Sequence, residues 1–310
     1  MQPARRMHRA SGTNAQSDGF TMIELVVTIA VLSIVMSILV PAVQAARSSA
    51  RAVQCRNNFR QVSIALQNYV SLSQQMPQTR FQAMSSFVQL LPHLEQARLY
   101  EMLTGRVERG AVPELTHPAV FRCSEDPATG SSLSGTNIGE NVGLCESRTV
   151  ENRRVRERFN GVFLTSQDSV ATSGSISDGL SSTAAYSEIL GYPRPGFSRR
   201  IFTHQKDRLT TDAASDQAKS CRAAPIGMAS ASFSRGSDWI HGLFQVNQYV
   251  HVLPPNERDC LFVPGSASEH RGGVHTALCD GSVQFVSSSI DEVVWQALGT
   301  RGSGDGPAEW

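Results

Sequence analysis

Between Phe20 and Val40 the chain carries 21 residues of which Glu24 alone is charged. As a helix at about 1.5 Å per residue this run is roughly 31 Å long, which matches the hydrocarbon thickness of a bilayer. A carboxylate near the start of such a span costs on the order of 2.5–3.5 kcal/mol unless something offsets it, so Glu24 needs a partner and marks function.

Residues 1–19 form a polar leader with Arg5, Arg6 and Arg9, and nothing in them could fold alone. The junction reads Asp18-Gly19, then Phe20-Thr21-Met22-Ile23-Glu24, then an apolar helix ending at Pro41. This order of basic leader, glycine, Phe-Thr-x-x-Glu and apolar helix resembles the N-terminus of type IV prepilins and pseudopilins. The resemblance implies cleavage after Gly19 by a prepilin peptidase and methylation of the new N-terminal Phe20. It also implies that Glu24 neutralises the terminal amine of a neighbouring subunit in a filament. Asp18 is a departure, because that family usually has a basic residue before the glycine.

Two plainer readings compete. An ordinary secretory signal could end at Val43-Gln44-Ala45, but its apolar core is about 7–15 residues, shorter than the run seen here. A simple membrane anchor would leave Glu24 facing a polar neighbour. Arg47, Arg51, Arg56 and Arg60 follow the span as densely as the leader arginines precede it, so charge does not orient it and the resemblance must.

Beyond the span the helix should continue, because Cys55, Phe59, Val62, Leu66 and Tyr69 step by four, three, four and three along one stripe. Pro41 should kink or locally melt it. Between 87 and 100 a helix-like pattern is interrupted by Pro92, and 124–160 reads as exposed loop. Gly161-Val162-Phe163-Leu164 reads as a short strand, and 183–190 as another. His270 to Val286 alternates apolar residues on both sides of Asp280-Gly281, a strong hairpin signal. A two-residue loop would pair Leu278 with Val283, Thr276 with Phe285 and His275 with Val286, and would bury Leu278, Val283, Thr276 and Phe285 together. Ser289 and Glu292 have the spacing of a helix capping box.

Three stretches carry a second resemblance: Leu90-Leu91-Pro92-His93-Leu94-Glu95-Gln96 with Leu99-Tyr100, Pro118-Ala119-Val120-Phe121-Arg122-Cys123-Ser124-Glu125-Asp126-Pro127, and Ile176 to Glu188. With His270, nine intervening residues and Asp280-Gly281, they resemble a large bacterial family of prepilin-like proteins with a C-terminal H-x9-DG motif and no assigned activity.

The formal net charge of +1 argues against bulk attraction to nucleic acid, and no partner of that kind is expected. The six cysteines all follow the span, and in an exported setting an even count suggests disulfides, with Cys123, Cys145, Cys221 and Cys260 as candidates. Cys55 and Cys279 serve equally well as small buried hydrophobes.

His270, His275, Cys279, Asp280 and Glu188 could in principle carry chemistry. On a strand, however, His275 and Cys279 lie about 13 Å apart and cannot share zinc. No nucleophile signature or calcium-loop spacing is present, so catalytic residues, metal and cofactor are all expected to be absent. His270 and Asp280 should sit at opposite ends of one strand with separate structural roles. His270 would fix the loop entering the strand through backbone carbonyls.

The expectation is an α+β, pilin-like fold: a long N-terminal membrane-spanning helix packed on an antiparallel sheet head with loop insertions. The leader is 1–19, the membrane half of the helix 20–41, its amphipathic half 42–72, and the head 73–310. The resemblance implies an inner-membrane, single-pass subunit with an exported head, whose partners are prepilin peptidase, other pilin-like subunits and membrane lipid. The competing class is an anchored binding module that does not polymerise.

Overall fold

The computed structural model describes residues 21–79, 84–107, 118–126, 135–151, 154–163, 170–191, 202–203, 214–223, 235–244, 246–260 and 263–302. These fall into two units divided after Ser49. Helix α1, Met22–Ser73, belongs to both.

In the first unit α1 is apolar and exposed: Ile23, Leu32, Ile34 and Ile38 are each more than 60% accessible. It is the one helix among the described residues long and apolar enough to cross a membrane. It continues as helix through Pro41, so no local melting occurs there. Proline removes one donor, and the helical bonds on either side carry the turn across.

The second unit is built on the buried stripe of α1, which comprises Cys55, Phe59, Val62, Ser63, Ala65 and Leu66. The stripe predicted from periodicity is the one observed, with Tyr69 partly buried at its end. Two short helices follow, α2 (Ser86–Leu90) and α3 (Ala97–Val107), joined by a 3-10 turn over Leu91–Leu94 that contains Pro92. Strands β1 (Ile138–Gly143), β2 (Cys145–Glu151) and β3 (Arg154–Phe159) come next, then β4 (Ala184–Glu188) and β5 (Phe202–Thr203). The chain continues with α4 (Ala214–Ala223), β6 (Gln248–Val250), β7 (Asp259–Cys260), β8 (Gly273–Leu278), β9 (Val283–Ser287) and α5 (Glu292–Gly299).

Five strands form the central sheet in the order β6-β1-β4-β8-β9. The expected antiparallel sheet is in fact mixed, because β1 and β6 run parallel. The stretch 124–160, read from sequence as loop, contains β1, whose six residues are all buried, and the β2–β3 hairpin. Ile-Gly-Glu-Asn-Val-Gly has the polarity of a loop, and only burial on both faces makes it a central strand. Conversely, Gly161–Phe163 is a bend rather than a strand, although Val162 and Phe163 are buried. Leu164 lies outside the described residues.

Side chains alternate across a strand, so the sheet has two apolar faces. Ala277 and Val283 join Phe59, Val62 and Leu66 of α1 in the main core. Val274 and Val286 point the other way, against Trp295 and Leu298 of α5. A third cluster gathers Val142, Val250, Val252 and Leu253 beside α4. Helix α5 is capped by Asp291, which accepts the N–H groups of Val293 and Val294, and the expected Ser289 box does not form.

The β8–β9 hairpin is present, but its register is one residue away from the expected one: Ala277 pairs with Val283, His275 with Phe285 and Val274 with Val286. The loop holds three residues rather than two. Gly281 N–H donates to Leu278 O at 3.0 Å, Leu278 N–H donates to Ser282 O at 2.9 Å, and Gly281 has φ +90°. That is a tight turn followed by a left-handed glycine, the second common hairpin solution for Asp-Gly. The slip leaves Phe285 half exposed and puts His275, not Thr276, on the face toward α1.

Candidate functional site

The N-terminal site and the head site lie in separate units. Gly19 and Phe20 lie outside the described residues. Glu24 stands in the first turn of α1, where its Oε2 accepts both the backbone N–H and the hydroxyl of Thr21 at 2.9 Å. Thr21 Oγ1 in turn accepts the Glu24 N–H at 3.4 Å. This reciprocal capping box meets two of the donors that a helix start leaves unpaired, and it supplies the lone carboxylate with a local partner.

In the head, β4 and β8 lie antiparallel, with Ser187 opposite Thr276. One step on, the Glu188 carboxylate takes up the backbone N–H of His275, with Oε2 at 2.8 Å. The Glu188 carbonyl accepts Ala267 N–H at 2.9 Å and the Ser266 hydroxyl at 3.0 Å, which ties the loop before β8 to the end of β4. His270 is set by that loop: its N–H donates to Ser268 Oγ, whose hydroxyl donates to Gly273 O, and Gly272 turns the chain at φ +85°.

The result is a buried cluster. His270 Nε2 stands 3.1 Å from Glu188 Oε1 and 3.4 Å from Cys123 Sγ. His275 Nδ1 is 3.4 Å from Glu188 Oε2, and its ring lies edge-on to that of His270 with centroids 4.9 Å apart. All three side chains are at most 6% exposed. Burial pushes the Glu188 carboxyl up, but the bonds and charges of the two histidines outweigh it and hold the group below its ordinary value. Burial likewise works to lower His270, while Glu188 wins and raises it. Cys123 is bonded to Cys55 of α1, with Cα atoms 5.0 Å apart, directly beside this cluster.

Asp280 takes no part. It is exposed at the far end of β8, where its Oδ1 accepts Ser282 N–H at 2.8 Å and its own N–H donates to Leu180 O. The six residues of β8, about 20 Å of strand, lie between the ends of the H-x9-DG motif. Gly281 supplies the left-handed turn. His270 contacts a carboxylate and a sulfur rather than the backbone carbonyls expected of it, because Glu188 at the end of β4 occupies that space.

Cys221 is bonded to Cys260, and Cys279 is free and buried, its thiol pushed well up by burial. Cys55, left out of the candidate disulfides, is the partner of Cys123. The side chain of Cys145 lies outside the described residues.

Glu140, on β1, was missed by sequence reasoning. It is fully buried and accepts the N–H of Ser86 at 2.6 Å, the hydroxyl of Thr79 at 2.5 Å and Gln248 Nε2 at 3.3 Å. Burial raises its carboxyl in spite of these bonds. Its immediate neighbours, Gly139 and Asn141, read as loop and hid it.

Residues 44–293 match the family model described as a protein of unknown function (DUF1559), and residues 14–40 match the model described as a prokaryotic N-terminal methylation motif. No curated protein and no solved structure matches the chain.

Proposed function

The chain belongs to the family described as a protein of unknown function (DUF1559), and from that premise we propose that it is a prepilin-like structural subunit assembling in a type IV pilus or a type II secretion pseudopilus-like structure. The observation that carries this reading is the methylation motif over residues 14–40, which runs directly into a helix of membrane-spanning length with Glu24 in its first turn. Prepilin peptidase cuts between Gly19 and Phe20 and the new terminus is methylated. The 20–41 segment sits in the inner membrane with the head exported, an oxidising setting that suits the two disulfides. The families matched name no enzyme activity, and in this reading the head serves as a structural module.

In the assembled state the ammonium of one subunit's Phe20 would offset the Glu24 carboxylate of the next, since an unpaired charge in lipid is costly. One observation favours an anchored module that does not polymerise: Thr21 already bonds the Glu24 carboxylate within the same chain. Those bonds are hydrogen bonds without a countercharge, so they only partly replace an ammonium.

Mass spectrometry of the mature protein from its native host tests the processing. An N-terminal methylated Phe20 is expected, and a bulky residue in place of Gly19 should leave the leader attached. A mature chain beginning near Ala46 would reject the reading in favour of an ordinary signal peptide.

A further inference from the structure

We propose that Cys55, Cys123, Glu188 and His270 form a redox-gated site for a soft divalent cation of the zinc class, filled while the two cysteines are thiols and emptied when they join. The donor atoms of these four buried residues all lie within 4.8 Å of one another. Thiolate sulfur, imidazole nitrogen and carboxylate oxygen are each donors that zinc takes, and four donors make a tetrahedral site.

Two donor–donor edges already fit, both from His270. With metal bonds of about 2.3 Å to sulfur and 2.0–2.1 Å to nitrogen and oxygen, a tetrahedron has nitrogen–oxygen edges of about 3.3 Å and sulfur–nitrogen edges of about 3.5 Å. His270 Nε2 lies 3.1 Å from Glu188 Oε1 and 3.4 Å from Cys123 Sγ. Opening the Cys55–Cys123 bond and turning the side chains supplies the fourth position.

Glu188 is also placed to serve as a ligand. Its Oε1 is buried and faces the cluster, with His270 Nε2 at 3.1 Å as its neighbour. The other oxygen is held by the His275 N–H, so the carboxylate is aimed rather than free, as the supported ligands of metal sites are. Among the described residues no other group of three or more His, Cys, Asp or Glu donors comes so close together.

The chemistry balances. Two thiols bind the cation and release two protons, and the proton that His270 Nε2 shares with Glu188 leaves with them, which frees the nitrogen lone pair for the cation. A disulfide oxidant then takes two electrons from the bound sulfurs: the Cys55–Cys123 bond forms, the oxidant's sulfur–sulfur bond breaks to two thiolates, and the cation leaves. A dithiol reductant runs the sequence backwards. In either state α1 is tied to the 118–126 segment, so the cation would hold the head together before the chain meets an oxidant.

The test uses full-length protein in detergent micelles carrying Cys221→Ser and Cys260→Ser, reduced without oxygen by a phosphine and titrated with cobalt(II), then zinc. One cobalt per chain is expected, with thiolate-to-metal charge transfer and the intense visible bands of a tetrahedral centre. Zinc should displace it and protect Cys55 and Cys123 from alkylation, while a disulfide oxidant should release it. His270→Ala should weaken binding by more than about 100-fold. If reduction itself loosens the head, zinc should restore the near-ultraviolet circular dichroism. The proposal fails if the reduced chain binds no cobalt, if binding lacks the thiolate band or is unchanged in His270→Ala, or if zinc leaves a loosened head unfolded.

Discussion

Glu188, the last residue of β4, places its two carboxylate oxygens on His270 and His275, the one 3.1 Å from the His270 ring and the other 2.8 Å from the His275 backbone N–H. The loop before β8 and β8 itself are thereby referred to one buried charge. Removing that charge leaves His270 and the His275 N–H without their acceptor.

Glu188→Ala should therefore destabilise the head by about 3–5 kcal/mol, the cost of breaking a buried pair by deleting one partner. Urea unfolding followed by the fluorescence of buried Trp239 and Trp295 measures it. A loss below about 1 kcal/mol would mean that the pair is not holding the loop to the sheet.

The two residues of the hairpin turn should respond in opposite ways. Gly281 has φ +90°, and a Cβ there would come within 3.0 Å of the Gln67 side chain, so Gly281→Val should cost about 2 kcal/mol or more. Asp280→Asn keeps an oxygen for the Ser282 N–H and should change stability by less than about 0.5 kcal/mol. The same urea experiment compares them, and equal losses would contradict the turn assigned to this loop.

His251 should make the head acid-sensitive. Its ring stacks on Trp295 with centroids 4.0 Å apart, contacts Tyr249 Oη at 3.0 Å and bonds Trp295 O at 2.8 Å. Burial pushes its pKa down from 6.5 to about 3, against the carbonyl bond, which works to raise it. Between those values the unfolded chain takes a proton that the folded chain refuses. The stability is thus fully present above pH 6.5 and is lost as pH falls toward 3, by up to about 1.4 kcal/mol per pH unit. From pH 7 to 5 the wild type should lose about 2 kcal/mol more than His251→Gln. Parallel losses in the two proteins would remove His251 as the cause.

Glu24→Ala should leave the head's stability unchanged, because Glu24 lies in the other unit, but should abolish crosslinked multimers in cells. Thr21→Val removes one of the two local bonds to Glu24 and should reduce multimers less. Multimers at wild-type levels in Glu24→Ala would favour the non-polymerising anchor.

Local patterns in the sequence determined the parts of this protein that depend on local physics. A charge-poor run longer than a signal core must be helical in lipid, and the stripe from Cys55 to Leu66 repeats at the helical period, so α1 was legible from end to end. The hairpin of β8 and β9 was legible in its position, because Asp-Gly between alternating residues asks for a turn. Its register was not, since two-residue and three-residue loops both suit Asp-Gly, and the choice rests on packing against Gln67, His275 and α5. Strand β1 was illegible because Gly139, Glu140 and Asn141 are polar or structureless by themselves and become a central strand only when neighbours on both sides satisfy them. The cluster of Cys55, Cys123, Glu188 and His270 comes from four distant stretches of chain. Its residues could be named from the sequence, but one strand pairing, one loop and one helix face decide that they meet, and those are long-range contacts that no short-range pattern encodes.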